Sequence, residues 1–511
     1  MRAAVIDIGS NSIKLLIGEK IDDEIKILET LKSVVGIGRS TFYKGRISQE
    51  IFNEIVEILK KYTRLIQQYE VSDVRVIATT AVREAENRNV FIDTIRRKTG
   101  FDIEILNVGD VVYFIDAFLS YKLTKKYPIN QKNLLIAELG AGSLDVSIME
   151  KGYALYNLGV PIGTLRLKQF KNRIDTSQKM LYETLEEYVE NQIEHLKRIT
   201  SGTKLDDIIL IDDSYSDVVQ RVLPNTKREE GFFLFHFRES KQLLTRLTGR
   251  NTDDLAEKYD LPMDVSDTMD SYSVIINKLF KLIKKRSIYI LETSLAEALL
   301  FNILHGFDLA DKYNKSNQLV SVAKFICQKY GSDLKHTKNV AFLCKQLFDG
   351  MKDILGVKED DFLYLLLAAY LHDVGLFINN RAHHKHTEYI ISSLSLFRLT
   401  SREIKCIACI ARYHRKAHPQ KTHFLYGSLA PDEQLLVQKL SSILRIANAL
   451  DSSHKQKVKK LEVQMNKNGT VSLVVYVTDD LTLEKISLSD RKQLFEEISG
   501  NKINLVLKQH S

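Results

Sequence analysis

The chain contains little cysteine and little proline, no tryptophan and no long apolar run. Four cysteines among 511 residues cannot form a disulfide framework, which agrees with a reducing compartment. Cys406 and Cys409 are spaced as a C-x-x-C pair within an apolar helical segment. No second pair follows at zinc-finger spacing, so we expect these two thiols to be buried packing residues.

No apolar stretch approaches the roughly 18 to 20 residues that a membrane-spanning helix needs. The segment Ala3–Ile6 is typical of a strand and not of a signal peptide, so we predict a cytoplasmic protein without a membrane partner. The net charge of +8 suits an anionic partner such as nucleic acid, an inorganic polyanion or an acidic protein surface. The sequence contains no recognition helix, zinc finger or aromatic stacking motif, so we predict no specific nucleic-acid partner.

The order of predicted elements divides the chain into four domains, as its length allows. Strands and helices alternate through residues 1–128, and the same order begins again in residues 129–310, which indicates an internal duplication. Two α/β domains of this kind leave a cleft where their turns converge. Residues 311–456 read as helices and hold nine of the 13 histidines, and residues 457–511 read as a small α+β subdomain.

Each of the two α/β domains contains a glycine turn that follows an acidic residue at the end of a strand. The first turn is Asp7-Ile8-Gly9-Ser10-Asn11-Ser12, and the second is Glu138-Leu139-Gly140-Ala141-Gly142-Ser143. Glycine lets the backbone approach a ligand, and amides, hydroxyls and the Asn11 side chain can donate hydrogen bonds to phosphate. The alternative is two structural hairpins, but acids at both strand ends cost stability without a cation or solvent.

With these turns the chain resembles the exopolyphosphatase and guanosine pentaphosphate phosphatase (Ppx/GppA) family, a branch of the fold shared by actin, sugar kinases and heat-shock ATPases. The matching stretches occur in order along nearly the whole chain and are Asp7–Leu15, Val35–Gly38, Ala78–Asn87, Glu138–Ser143, Leu158–Leu167 and the histidine-rich helical region. The resemblance implies duplicated actin-like (ASKHA, ribonuclease H-like) domains, an all-α HD-type domain and a small α+β subdomain. It also implies a homodimer.

The activity implied by the resemblance is Mg-dependent removal of terminal phosphate from polyphosphate, or of the γ-phosphate from guanosine pentaphosphate. Asp7 and Glu138 match the positions that hold Mg and serve catalysis, and Arg83 matches the family's phosphate-contacting arginine. The phosphate-binding positions implied in the two turns are Gly9, Ser10, Asn11, Gly140, Ala141, Gly142 and Ser143. The alternative for Arg83 is a surface ion pair with Glu84 or Glu86.

The sequence departs from the family pattern in the cleft. The family's general-base glutamate falls by spacing on Val111, which cannot accept a proton, so Asp110 is the predicted catalytic substitute and Asp116 a second candidate. Glu138 replaces an aspartate, Ala141 replaces a glycine, and Asp145 replaces a glutamate. A further glycine turn reads Asp212-Asp213-Ser214, where carboxylates repel phosphate unless a metal intervenes.

The helical region carries histidines in the order seen in HD-type metal phosphohydrolase domains. These residues are His336, His372, Asp373, His383–His386, His414 and Asn448–Asp451, with Asn448 at the position of the last aspartate ligand. A metal centre at His336, His372 and Asp373 is one interpretation. The favoured one is an anion-binding surface and dimer interface, with Lys385, Arg412, Arg415 and Lys416 along a phosphate track, unless they form an ordinary solvated face.

Two functions therefore stay open. The favoured one is an exopolyphosphatase that uses Asp7, Glu138 and an acid near Asp110, and the alternative is a catalytically degenerate regulatory protein that binds polyphosphate or a nucleotide. A sugar or acetate kinase of the same fold is disfavoured, because the Ala78–Asn87 stretch and the helical region match the phosphatase branch.

Overall fold

The computed structural model describes residues 1–22, 24–123, 127–200, 202–212, 215–224, 226, 228–229, 232–283, 285–306, 314–415 and 417–509. The chain divides into two compact units, Met1–Asn314 and Lys315–Ser511. The finer division into four domains stays a prediction.

The first unit begins with a five-stranded sheet in the order β3-β2-β1-β4-β5. Its strands are β1 (Arg2–Ile8), β2 (Ser12–Ile21), β3 (Glu24–Val34), β4 (Asp73–Ala78) and β5 (Ile103–Ile105). The accompanying helices are α1 (Ile37–Lys44), α2 (Gln49–Gln68), α3 (Thr80–Glu84), α4 (Arg88–Thr99) and α5 (Val108–Leu123), followed by a 3-10 turn (Ile129–Gln131). Strand β1 is the middle strand of this sheet, and its residues from Ala3 to Ile6 are fully buried.

A seven-stranded sheet follows in the order β10-β11-β12-β9-β6-β7-β8. Its strands are β6 (Asn133–Leu139), β7 (Leu144–Glu150), β8 (Tyr153–Val160), β9 (Asp207–Ile211), β10 (Arg228–Glu229), β11 (Phe232–His236) and β12 (Ser287–Leu291). The helices are α6 (Thr164–Lys171), α7 (Gln178–Thr200), α8 (Ser216–Val222), α9 (Phe237–Leu247), α10 (Thr252–Tyr259), α11 (Met263–Ser266), α12 (Met269–Ile283) and α13 (Leu295–His305).

The two sheets repeat one topology. In the first sheet β1 pairs antiparallel with β2 and parallel with β4, and β4 pairs parallel with β5. In the second sheet β6 pairs antiparallel with β7 and parallel with β9, and β9 pairs parallel with β12. The order β3-β2-β1-β4-β5 therefore corresponds to β8-β7-β6-β9-β12, with β11 and β10 added at one edge. This repeat confirms the predicted internal duplication.

The second unit combines helices with a three-stranded sheet in the order β13-β14-β15. Its helices are α14 (Lys315–Lys329), α15 (Leu334–Leu355), α16 (Phe362–Leu371), α17 (His383–Ser392), α18 (Ser401–Arg412), α19 (Phe424–Gly427), α20 (Pro431–Ala449), α21 (Thr482–Arg491) and α22 (Gln493–Ser499), with 3-10 turns at Glu359–Asp361 and Val374–Phe377. The strands are β13 (Val458–Met465), β14 (Val471–Val477) and β15 (Ile503–Gln509).

Several local predictions can be compared with this structure. A hairpin turn at 466–469 joins β13 to β14, and its Gly469 N–H donates to the Asn466 carbonyl at 3.0 Å. Cys406 and Cys409 are buried in α18, as expected of packing residues. Within the described ranges, every helix is too short or too polar to cross a bilayer.

Candidate active site

Both glycine turns line one cavity in the first unit. The space that it encloses is about 970 Å³, open solvent included. The predicted site residues that line it are Asp7, Gly9, Ser10, Asn11, Glu138, Gly140, Ala141, Gly142 and Ser143. The fold therefore brings together residues that are more than 120 positions apart in the sequence.

The two turns are closed in the same way. The Gly9 N–H donates to the Ser12 carbonyl at 3.0 Å, and the Gly140 N–H donates to the Ser143 carbonyl at 2.9 Å. Each turn joins two antiparallel strands, β1 to β2 and β6 to β7. A Cβ on Gly9 would lie 3.1 Å from the Ser12 carbonyl oxygen, so the tight turn leaves little room for a side chain there.

A backbone segment behind the first turn holds it in place. The Asn11 carbonyl accepts hydrogen bonds from the Val35 and Gly36 N–H groups at 3.0 and 2.9 Å. The Ser10 carbonyl accepts from the Gly38 N–H at 2.7 Å. These bonds occupy carbonyl dipoles that would otherwise repel an anion, and they account for the matching stretch at 35–38.

The second turn has an equivalent support at the start of α6. The Gly140 carbonyl accepts from the Thr164 N–H at 3.2 Å, and the Ala141 carbonyl accepts from the Leu165 and Arg166 N–H groups at 3.0 and 3.2 Å. Both turns are thus supported by the segment that leads into a helix, α1 or α6. The duplication extends from the strand order to individual hydrogen bonds.

The two turns touch each other. The Thr80 and Ser143 hydroxyl oxygens lie 2.7 Å apart in a buried hydrogen bond. A Cβ on Gly142 would lie 2.7 Å from the Ser10 hydroxyl oxygen and 2.6 Å from the Phe42 ring. A side chain at position 142 would clash with the first turn. Glycine lets the two turns pack closely, and this contact sets their separation.

Two carboxylates stand directly opposite each other on the second hairpin. Glu138 on β6 is the register partner of Asp145 on β7, so both side chains project from the same face, toward the cavity they line. Asp145 is 2% exposed, and its Oδ1 has no hydrogen-bond partner among the described atoms. Burial raises the pKa of Asp145 to about 6, although the Arg83 charge acts in the opposite direction. Like charges in this arrangement are destabilising unless a cation lies between them.

Arg83 lies beside the cavity wall and is not among the residues that line it. Its guanidinium donates to the Leu106 carbonyl at 2.7 Å and to the Thr80 hydroxyl at 3.2 Å. The described residues show no ion pair of Arg83 with Glu84 or Glu86, and Glu84 instead accepts from Arg166 at 2.7 and 2.8 Å. Arg83 therefore contacts Thr80, which in turn contacts the second turn.

Lys14 and Lys32 also line the cavity, and the sequence prediction did not include them. Lys14 is the register partner of Asp7, and Lys32 is the register partner of Lys14 on the next strand. Lys32 donates to Asp264 at 2.9 Å. One sequence signal could have identified Lys14. It is a charged residue within the apolar strand β2, and it lies on the same face of the sheet as Asp7.

The acidic segment after β9 is partly explained by local hydrogen bonds. The Asp212 carboxylate accepts from the Tyr215 N–H at 2.8 Å and from the Tyr272 hydroxyl at 2.7 Å. These donors satisfy the buried Asp212 carboxylate. Asp213 and Ser214 lie outside the described residues.

Comparison with known proteins identifies the chain's relatives. The family model described as the Ppx/GppA phosphatase family matches residues 16–307, and the model described as Ppx/GppA phosphatase, domain III, matches residues 320–494. The chain belongs to the Ppx/GppA phosphatase family. The resemblance that the glycine turns indicated is therefore confirmed.

Individual Ppx/GppA relatives are distant in sequence. A guanosine-5'-triphosphate,3'-diphosphate pyrophosphatase of Pseudoalteromonas translucida is 22% identical over 467 residues, covering 87% of this chain and 86% of its own. An exopolyphosphatase structure from Cytophaga hutchinsonii has a TM-score of 0.53 at 21% identity and covers 60% of this chain and 98% of its own. An Aquifex aeolicus family member has a TM-score of 0.51 at 18% identity, covering 61% and 99%. Both structures support the actin-like α/β fold.

Helix α5 holds the three positions considered for a general base, Asp110, Val111 and Asp116. Val111 lines the cavity at the position where the resemblance places a glutamate. Asp110 does not line the cavity, and its carboxylate accepts from the Asn107 N–H at 3.1 Å at the start of the helix. The structure therefore brings Val111 to the cavity and leaves the predicted substitute, Asp110, outside its lining.

Asp116, the second candidate base, also lies away from the cavity. It is 3% exposed and accepts a hydrogen bond from the Ser147 hydroxyl at 2.8 Å. Burial raises the pKa of Asp116 to about 8, so it is protonated in the folded protein at neutral pH. Asp116 is therefore a structural residue between α5 and β7.

Replacing Asp116 with asparagine is expected to stabilise the protein increasingly as the pH rises from 5 to 8. The folded state keeps a proton on Asp116 up to about pH 8, whereas the unfolded chain loses it near pH 4, so stability falls as pH rises through this window. Asparagine imitates the protonated acid at every pH. We expect Asp116→Asn to gain on the order of a few kcal/mol over the wild type between pH 5 and pH 8, measured by denaturant unfolding.

The control is Asp93→Asn at an exposed site, where Arg97 lowers the pKa of the Asp93 carboxyl. That variant is expected to show no gain with rising pH. Equal stability of Asp116→Asn and wild type at both pH values would contradict the protonated state of Asp116.

The predicted residues of the helical region lie in the second unit. Lys385 and Arg415 are exposed, whereas Arg412 donates to the half-buried Glu388 and is largely buried itself. Lys416 lies outside the described residues. His336, His372 and Asp373 are buried and lie together, so the structure gathers these three predicted metal ligands at one place.

Proposed function

We propose that the chain is a slow phosphohydrolase that releases terminal phosphate from inorganic polyphosphate or guanosine pentaphosphate in the cavity between its two glycine turns. One observation carries the proposal. Glu138 and Asp145 stand opposite each other on β6 and β7, beside two equivalent phosphate turns and the Asp7 strand end. An acidic pair can bind a cation while the neighbouring turns bind a phosphate chain, and the cation then bridges the carboxylates and the phosphate oxygens.

The carboxylates of this cavity suit Mg. Asp7, Glu138 and Asp145 offer hard oxygen ligands, and the buried Oδ1 of Asp145 has no hydrogen-bond partner among the described atoms. Mg bound there would neutralise charge on the phosphate oxygens. The protein's own contribution is to position the anion through Ser10, Asn11 and the turn amides, and to hold Glu138 and Asp145 in register.

The expected rate is low because of Val111. A positioned general base typically contributes about 10²–10⁴-fold, and a valine at this place cannot accept the water's proton. Phosphoryl transfer depends mainly on positioning and charge stabilisation, so loss of a base need not abolish it. The same observation favours the second candidate function, a regulatory protein that binds polyphosphate or a nucleotide without turnover.

Two further proposals concern the helical part of the second unit and the oligomeric state. We propose an HD-type fold for its helical part and a homodimer for the whole protein, on the basis of the family resemblance. Lys385 and Arg415 are exposed cations suited to contact an anion at the surface of the second unit, whereas Arg412 is engaged with Glu388.

Reversing the charge at Arg83 is expected to weaken polyphosphate binding under either function. The guanidinium lies beside Thr80 and acts electrostatically on Asp145, so Arg83→Glu adds a negative charge next to the anion site. We expect at least about a tenfold rise in Kd, measured by equilibrium binding at fixed ionic strength. Arg96→Glu, at an exposed position on α4, controls for net charge. Equal losses in the two variants would mean that Arg83 has no local role.

The test of the proposed function is steady-state phosphate release from long-chain polyphosphate and from guanosine pentaphosphate, with Mg and with EDTA. We expect slow release from at least one substrate that EDTA abolishes. Tight binding with no release from either substrate would establish the regulatory function instead. Absence of both binding and release would remove the cavity from the proposal.

A further inference from the structure

A buried cluster of histidines surrounds one aspartate in the second unit. The cluster consists of His336 on α15, His372 and Asp373 after α16, His383 on α17 and His414 after α18. All five residues are at most 8% exposed. A charged carboxylate at this depth needs positive partners, since burial of an unpaired charge is costly.

Each histidine directs its Nε2 toward Asp373. The Nε2 atoms of His383 and His414 lie 3.5 and 3.6 Å from Asp373 Oδ1. Those of His372 and His336 lie 3.4 and 3.9 Å from Oδ2. The Nε2 atoms of His336 and His372 have no hydrogen-bond partner among the described atoms. Four ring nitrogens thus converge on one carboxylate without completing ordinary hydrogen bonds to it.

The opposite ring nitrogens show which atoms carry protons. Nδ1 of His372, His414 and His383 lies 2.8, 2.7 and 3.1 Å from the backbone carbonyls of Ala369, Ala411 and Asn380. A carbonyl can only accept, so each Nδ1 is the protonated nitrogen. The Nε2 of each neutral ring therefore carries a lone pair directed into the cluster.

Asp451 gives His336 the same orientation. The His336 Nδ1 donates to Asp451 Oδ2 at 2.8 Å, and Asp451 Oδ1 accepts from the Gln456 N–H at 2.8 Å. A carboxylate behind the distal nitrogen of a histidine fixes the tautomer and the orientation of the ring. Asp451 thus acts on the cluster through His336.

These converging lone pairs favour a cation between them. The Nε2 atoms of His383 and His414 are 3.1 Å apart, and with both Nδ1 atoms protonated they would repel each other. The edges of the triangle that they form with Asp373 Oδ1 are 3.1, 3.5 and 3.6 Å. Ligands of a tetrahedral ion with bonds of about 2.0–2.2 Å lie roughly 3.3–3.6 Å apart, so the triangle is close in size to one face of such a site.

We infer that His383, His414 and Asp373 bind a divalent transition-metal ion, with His372 and His336 on the other side of the same carboxylate. Imidazole with a carboxylate suits zinc, iron, cobalt, nickel or manganese better than magnesium. The site therefore differs in ligand chemistry from the all-oxygen cavity of the first unit. The sequence alone favoured an anion-binding relic for this region, and the convergence of the Nε2 atoms favours the metal centre.

The test is metal binding by the full-length protein. The chelator-treated protein is titrated with Co²⁺, and visible absorption, metal content after gel filtration and the unfolding temperature are recorded. We expect at least one tightly bound Co²⁺ per chain, the absorption of nitrogen-coordinated cobalt and a raised unfolding temperature. A wild-type protein that takes up no Co²⁺ would overturn the inference and leave a proton shared by His383 and His414.

Variants locate the ion. His383→Gln and His414→Gln are expected to lower Co²⁺ affinity by at least about 10²-fold, and Asp451→Asn by about 10-fold, since it acts through His336. His418→Ala, at a half-exposed histidine of the same unit that contacts Glu497, is the matched control. Asp7→Ala tests the cavity of the first unit and is expected to retain the cobalt spectrum. A spectrum unchanged in His383→Gln and His414→Gln would place the ion elsewhere and overturn the assignment.

Discussion

Val111→Glu is expected to raise the rate of phosphate release from polyphosphate by about 10²-fold or more. The side chain at 111 lines the cavity near the second turn, and no carboxylate of the described part of α5 does so. A glutamate there can accept the proton of an attacking water, because its side chain reaches further than valine into the cavity. The measurement is kcat at saturating polyphosphate, with Kd determined separately.

Val111→Gln is the matched control for this substitution. Glutamine has the size and polarity of glutamate but cannot act as a base at neutral pH, so we expect it to leave kcat near the wild-type value. Equal acceleration by Gln and Glu would attribute the gain to shape. A Val111→Glu protein that folds, binds polyphosphate and is no faster than wild type would show that position 111 is not a base position in this chain.

Asp7→Ala is expected to abolish phosphate release, with a loss of at least about 10²-fold. Asp7 ends β1 at the first turn and lines the cavity with Glu138 and Asp145. Its removal takes away one of three carboxylates proposed to hold Mg and leaves the turn amides in place. Polyphosphate binding without Mg should therefore persist, since less negative charge faces the anion.

A stability measurement separates this functional role from a structural one. Removing Asp7 relieves repulsion from Glu138 and Asp145 but also takes away the cross-strand partner of Lys14, so we expect the unfolding temperature in EDTA to change little. Glu50→Ala, at an exposed position in the first turn of α2, serves as a control for loss of one negative charge. Unchanged phosphate release in Asp7→Ala would remove Asp7 from the mechanism, and a large fall in stability would assign it a structural role.

The duplicated fold was accessible from the sequence because its signals are local and strong. Strand β1 is a short apolar run, and α2 has the apolar spacing of an amphipathic helix. The two glycine turns occur at the same place in the two repeats. Strands β11 and β12 were not predicted, since five-residue apolar runs do not distinguish a strand from a buried helix. Helix α21 was also missed. Its apolar residues Leu483 and Ile486 are exposed, so they do not follow the core-facing pattern.

The sequence predicted those parts of the candidate site that are formed by consecutive residues. It did not predict the parts that depend on strand pairing or on the rotation of a helix. Consecutive residues of a turn necessarily lie together, so the two turns could be named in advance. The pairing of Glu138 with Asp145, and of Asp7 with Lys14, depends on strand register. The exclusion of Asp110 and Asp116 depends on the rotation of α5, because only Val111 among the three lines the cavity. One residue along a helix turns a side chain by about 100°, which spacing alone cannot resolve.

The most direct test of the proposed phosphohydrolase is a single-turnover experiment with enzyme in excess over long-chain polyphosphate. Mg is added to the preformed complex, and released phosphate is followed against an EDTA control and Asp7→Ala in parallel. The proposal predicts slow Mg-dependent release by the wild type and none by Asp7→Ala. Complete binding of polyphosphate without release, on a timescale of hours, would contradict hydrolysis and identify the cavity as a binding site.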